Sequence, residues 1–148
     1  MTDVPTLVLD ASVAAKWHLL DEDLLEEAMA LRADYGQGRI SVAMPDFARY
    51  EVANIFSVAR QRGRLNATAA RRAVADFQAL GFTFLATQEL ILDAMGAVER
   101  FGCAFYDGLY VALAEQLGTA LVTADERLMH RVQGKAPYVK WLGDYGNR

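Results

Sequence analysis

Four acidic residues, Asp10, Glu51, Asp107 and Asp125, stand among apolar neighbours or just beyond short apolar runs. Asp10 follows Leu7-Val8-Leu9, and Asp125 comes shortly after Leu121-Val122-Thr123. Each therefore lies at the carboxyl edge of a strand-like run and ahead of a helix-like segment, where it could also cap that helix. On a helix wheel Glu51 falls between Phe47, Ile55 and Val58, which places it on an inward apolar face with Asn54 beside it to orient the carboxylate. Asp107 is the only charge in Phe105-Tyr106-Asp107-Gly108-Leu109-Tyr110-Val111-Ala112-Leu113-Ala114, a run apolar on every side and so expected to be a buried helix. A buried carboxylate protonates rather than ionises unless a cation or strong hydrogen-bond donors face it. Strand-end acids and inward helix acids with no matching basic residues point to a cation site. An all-oxygen set without His or Cys suits Mg²⁺ or Mn²⁺, which binds through a few carboxylates and keeps several waters.

Other chemistries lack the residues. The only histidines, His18 and His130, have no supporting context for acid–base work, and the lone Cys103 has no disulfide or zinc partner, so it reads as a small buried hydrophobe. The acids Asp21, Glu22, Asp23, Glu26 and Glu27 read as the solvated start of a surface helix, where they favour its dipole. Net charge is -4, yet Arg49, Arg60, Arg62, Arg64, Arg71 and Arg72 face only Glu51 between positions 47 and 75. That basic stretch could touch nucleic-acid phosphates or form a solvated face. Arg49 and Arg60 project away from Glu51, which leaves Arg62 and Arg64 as the candidates nearest the acids.

Elements that could hold these residues follow from periodicity. Apolar runs predict strands over 6–9, 40–43, 82–85, 120–122 and near 138–141. Amphipathic stretches predict helices from 12 and from 22, and over 46–62, 68–80, 88–101, 105–117 and 126–132, with Gly63 and Gly118 as terminating glycines. The helix over 46–62 carries a second apolar stripe through Val52 and Phe56, for packing on the next helix or for a partner. Strands separated by helices imply parallel pairing through right-handed crossovers, hence a three-layer α/β sheet whose chemistry lies beyond the carboxyl ends of the strands. At 148 residues, 53% hydrophobic and with three prolines, the chain is expected to be one globular domain over 1–148. No basic, apolar leader opens it and no run is long enough to span a membrane, so a cytoplasmic protein is expected.

Four segments together resemble the motifs of PIN-domain ribonucleases, in particular the VapC-type toxins of type II toxin–antitoxin systems. They are Val8-Leu9-Asp10-Ala11-Ser12-Val13-Ala14, the stretch from Pro45-Asp46 to Tyr50-Glu51-Val52-Ala53-Asn54, the run around Asp107, and Leu121-Val122-Thr123-Ala124-Asp125-Glu126-Arg127-Leu128. The resemblance implies a three-layer α/β/α PIN fold with a parallel sheet ordered 3-2-1-4-5, in which Asp10 and Asp125 converge. It implies that Asp10, Glu51, Asp107 and Asp125 hold Mg²⁺ or Mn²⁺ for hydrolysis of RNA phosphodiesters. Thr123 matches a hydroxyl position near that site, with Ser12 and Asn54 as further neighbours. A homodimer and a VapB-type antitoxin are also implied. The alternative from another class is a PIN-fold module that binds RNA or protein without cutting. A haloacid-dehalogenase-type phosphatase would need an acid where Ser12 stands.

Overall fold

The computed structural model describes residues 3–146. The chain begins with β1 (Thr6–Leu9), α1 (Ala11–Ala15) and α2 (Leu25–Gly36), followed by β2 (Ser41–Pro45), α3 (Ala48–Gln61), α4 (Ala67–Gln78) and β3 (Thr83–Leu85). A 3-10 turn (Gln88–Leu90) leads into α5 (Ile91–Phe101) and α6 (Phe105–Leu117), and the chain closes with β4 (Leu121–Thr123), α7 (Glu126–Val132), β5 (Val139–Trp141) and a last 3-10 turn (Leu142–Asp144). Every strand pair is parallel and the sheet order is β3-β2-β1-β4-β5, the order that the family resemblance implies. Adjacent strand residues point to opposite faces, and both Val8 and Leu9 are 0% exposed, so helices cover the sheet on both sides. The order reverses at β1, which pairs with β2 on one side and β4 on the other. Crossovers therefore diverge at the ends of β1 and β4, the switch point at which ligands of such sheets are expected.

Helix faces and boundaries differ from the sequence reading at several points: the helix expected from 22 begins at Leu25, the one expected over 88–101 is a 3-10 turn followed by α5, and α3 differs in both face and start. On α3 the core face is Ala48, Val52, Phe56 and Ala59, packed toward α1 and α4, whereas Phe47, Glu51, Ile55 and Val58 are only half-buried. Both stripes are apolar; the one carrying small alanines admits the closer approach of neighbouring helices. α3 also starts at Ala48 rather than at Asp46, because the Asp46 amide extends the β2–β3 pairing to the Leu85 carbonyl at 2.8 Å.

The acids Asp21, Glu22 and Asp23 do not open a solvated helix. They precede α2 and form an ion-pair cluster, with Lys16 Nζ 3.2 Å from Glu22 and 3.1 Å from Asp23, and Arg64 bridging Asp21 and Glu22 at 2.8 and 3.0 Å. Lys16 is the only buried cation among the described residues, and its pairs hold the loop in which Leu24 takes a left-handed φ of 59°, disfavoured for a branched side chain. Glu22→Gln leaves the buried ammonium with only the exposed Asp23 as a carboxylate partner. It is expected to destabilise the fold by about 1–3 kcal/mol, read as a lower midpoint in urea at unchanged slope.

One close approach sets α6 in place. A Cβ at Gly108 would fall 2.7 Å from the Ala94 carbonyl oxygen of α5, so only glycine lets the first turn of α6 lie this close. Asp107 is the residue before it.

Candidate functional site

Asp10 ends the central strand and is 5% exposed. Although it occupies the N-cap position of α1, its side chain makes no capping bond. Its Oδ2 instead accepts from Thr123 Oγ1 at 2.7 Å and from Ser12 Oγ at 3.0 Å. Those hydroxyls are themselves held: Thr123 Oγ1 accepts from the Asp125 amide at 3.0 Å and Ser12 Oγ from the Ala124 amide at 3.1 Å. The β1–β4 pairing thus fixes the carboxylate from the neighbouring strand, as expected for acids at adjacent strand ends.

Asp125 does cap α7, its Oδ1 accepting from the amides of Arg127 and Leu128 at 2.9 and 3.3 Å. Glu51, in the first turn of α3, accepts through Oε1 from the Tyr110 hydroxyl at 3.0 Å. Asn54 is exposed and plays no part in that bond, so its expected orienting role passes to Tyr110. The sequence reading omits Tyr110, although its place three residues past Asp107 puts both on one helix face. Asp107 is half-buried in the first turn of α6, beside the close contact at Gly108.

The four carboxylates act on one another. Burial raises the pKa of Asp10, opposed by hydrogen bonds from Thr123 and Ser12 and reinforced by the charge of Asp125. Burial, then the charge of Asp10, pushes Glu51 up to about 7, against the bond from Tyr110. Asp107 is also pushed up to about 7, by burial and then by the charges of Asp10, Asp125 and Glu51. None of the four forms an ion pair with a basic side chain among the described residues. The result is a cluster of mutually repelling carboxyl groups, without a basic partner among the described residues, at the switch point of the sheet.

Whether a hard cation fits can be judged from the oxygens. Asp10, Glu51 and Asp125 each have one oxygen held by the fold, while Asp10 Oδ1, Glu51 Oε2 and Asp125 Oδ2 accept from no side chain among the described residues. As arranged, no three His, Cys, Asp or Glu side chains of the described residues are close enough to hold a metal ion between them. The donors are all carboxylate oxygens, the kind that Mg²⁺ or Mn²⁺ takes, and such ions keep several waters between themselves and part of their ligands, so it is the chemistry of the set that suits a hydrated hard cation.

The arginine candidates fare differently. Arg64 is committed to Asp21 and Glu22, which removes it as a free phosphate contact. Arg62 is exposed at the far end of α3, about 16 Å of helix rise from Glu51. An open groove of about 540 Å³ between α3 and α4 has an apolar floor that includes Ala53, Phe56 and Val74, with Arg60 and Arg71 beside it, and it lies apart from the acids.

With this geometry in hand, comparison with known proteins is specific. The family model described as the PIN domain matches residues 7–135. Ribonuclease VapC3 of Pyrobaculum aerophilum is 32% identical over 133 residues, covering 84% of this chain and 93% of that protein. VapC ribonuclease Mb0985 of Mycobacterium bovis is 34% identical over 120 residues, covering 74% of this chain and 89% of that one. The crystal structure of PAE2754 from Pyrobaculum aerophilum matches with a TM-score of 0.67 at 24% identity, over 94% of this chain and 90% of that one, a likeness of fold.

Proposed function

This chain belongs to the PIN domain family, and from that premise we propose that it is a Mg²⁺- or Mn²⁺-dependent endoribonuclease, the toxin of a toxin–antitoxin pair. The observation that carries the reading is the gathering of Asp10, Glu51, Asp107 and Asp125 at the carboxyl ends of β1 and β4 with no basic partner. RNA is the substrate class that the names of the ribonuclease relatives support, and a cytoplasmic setting with a VapB-type antitoxin and a homodimer belongs to the same reading. No helix among the described residues is long and apolar enough to cross a membrane.

Asp10 and Asp107 would hold the cation most directly, with Glu51 and Asp125 completing the set. When bound, such an ion activates water, polarises a phosphodiester and stabilises the leaving oxygen. The chain's own part is positional. Thr123 and Ser12 turn Asp10 so that Oδ1 faces away from their hydroxyls, and the N-cap bonds of Asp125 leave its Oδ2 for the pocket. Burial keeps bulk water from screening the acids, so a cation is attracted more strongly than at an open surface. Without a cation, burial and mutual charge hold Glu51 and Asp107 at about 7; beside a divalent ion their ionised forms are favoured, so cation uptake is coupled to proton release.

Incubating the purified protein with structured RNA tests the reading. Cleavage is expected in Mg²⁺ or Mn²⁺ and none in EDTA. Cleavage that persists in EDTA would refute the metal dependence, and RNA binding without cleavage under any metal would favour the non-cutting module.

A further inference from the structure

We infer that Tyr110 is a positioning residue that fixes which oxygen of Glu51 is presented to the cation, an inference that rests on the metal-site reading above. Its ring is 0% exposed and packs edge-on against Phe47, with centroids 5.3 Å apart at 71°. A ring locked this way has one place to put its hydroxyl, and that place is 3.0 Å from Glu51 Oε1. Glu51, by contrast, projects from a half-buried face of α3 on a flexible arm, and no other hydrogen bond to its carboxylate is formed among the described residues. Freely rotating, it would present either oxygen, or neither, to the pocket.

With the phenol proton on Oε1, the carboxylate is oriented and Oε2 remains for the cation or its waters. The same hydroxyl has few alternatives: buried and without solvent, it would lose its acceptor if Glu51 swung away. Tyr110 and Asp107 share one face of α6, so the helix that supplies one acid also sets the orientation of another. Phe47 immediately precedes α3 and touches Tyr110 from the Glu51 side, which ties the first turns of both helices into the arrangement.

Binding of Mn²⁺ to the purified protein, followed by calorimetry, tests this without reference to activity. Tyr110→Phe keeps the ring and removes the donor. It is expected to weaken Mn²⁺ binding by about 10–100-fold, the range found when a group orienting a metal ligand is lost. The effect should pass through Glu51, so in a Glu51→Gln background the further loss on Tyr110→Phe should disappear. Glu51→Asp, which keeps the charge but withdraws the carboxylate from the hydroxyl, should reproduce the loss and serves alone if Tyr110→Phe does not fold. Wild-type affinity in Tyr110→Phe or in Glu51→Asp overturns the inference, as does an equal loss with and without Glu51. A wild-type protein that takes up no Mn²⁺ overturns the metal-site reading itself, and the role of Tyr110 with it.

Discussion

Replacing Asp10 by Asn is expected to lower RNA cleavage by about two to four orders of magnitude, the range typical of losing one member of a preorganised charged or acid–base set. The amide oxygen can still accept from Thr123 and Ser12, so the β1–β4 junction keeps its hydrogen bonds while losing the negative charge. Asp107→Asn is expected to act as strongly. Asp125→Asn isolates the charge, because an asparagine caps a helix as well as an aspartate does. Stability separates chemistry from folding in these variants. Ionised Asp10 is disfavoured by burial and by the charge of Asp125, so its neutral replacement should raise the melting temperature in EDTA at pH 8 while activity falls. A variant that loses activity and stability together would mean that Asp10 serves the fold. Undiminished cleavage in both Asp10→Asn and Asp107→Asn would remove these acids from the mechanism.

The second large effect is a pH dependence opposite to that of most carboxylate-bearing proteins. In the folded protein Glu51 and Asp107 titrate near 7, against ordinary values of 4.5 and 3.8. Between those limits the folded state holds protons that the unfolded state has released, so stability declines as pH rises through the window and reaches its lowest contribution above pH 7. The groups that face one another are Asp10 just beyond β1, Glu51 from α3, Asp107 and Tyr110 from α6, and Asp125 before α7; among them Asp10, Glu51 and Asp107 are raised together and titrate as a coupled set. His18 works the other way: burial lowers its pKa, so its contribution is lost as pH falls below its ordinary 6.5. The comparison is therefore made against Glu51→Gln/Asp107→Asn, which leaves His18 in place. In EDTA the wild type should lose more melting temperature than this variant between pH 5 and pH 8. At pH 8, Mn²⁺ or Mg²⁺ should restore the wild type, by about 2.7 kcal/mol at 100 times Kd, and leave the variant unmoved. Equal pH profiles, or a melt indifferent to millimolar metal, would count against the clustered site.

Much of this arrangement is legible before folding, and the reasons differ by residue. Asp10 and Asp125 are readable because a strand followed at once by an acid and a helix fixes where that acid stands once the sheet is parallel. Asp107 is readable because a lone charge in an apolar helix has few explanations. Glu51 is placed correctly near the acids but for an incomplete reason: α3 has two apolar stripes, and periodicity alone does not say which of them meets the core. That question is settled by the small residues Ala48 and Ala59, whose role emerges only with the neighbouring helices in place. The cluster of Lys16, Glu22, Asp23 and Arg64 joins positions far apart in sequence, so a local reading takes the acids as solvated and Arg64 as free. Yet Lys16 is the sole lysine or arginine before Arg32, set in Val13-Ala14-Ala15-Lys16-Trp17, which is itself a sign of burial with a partner.

The bond between Thr123 and Asp10 joins residues 113 apart in the chain, and β1 reaches its neighbour β4 only after six intervening α-helices and two strands have been made. Local contacts alone cannot assemble the site; it needs the pairing of β1 with β4, the longest-range pairing in the sheet and of the slow kind. During synthesis, a ribosome-bound chain halted before residue 121 carries Asp10, Glu51 and Asp107 but lacks the strand that orients the first of them. The four-acid arrangement thus cannot exist until the chain has been made through Asp125 and has emerged far enough for β4 to pair with β1.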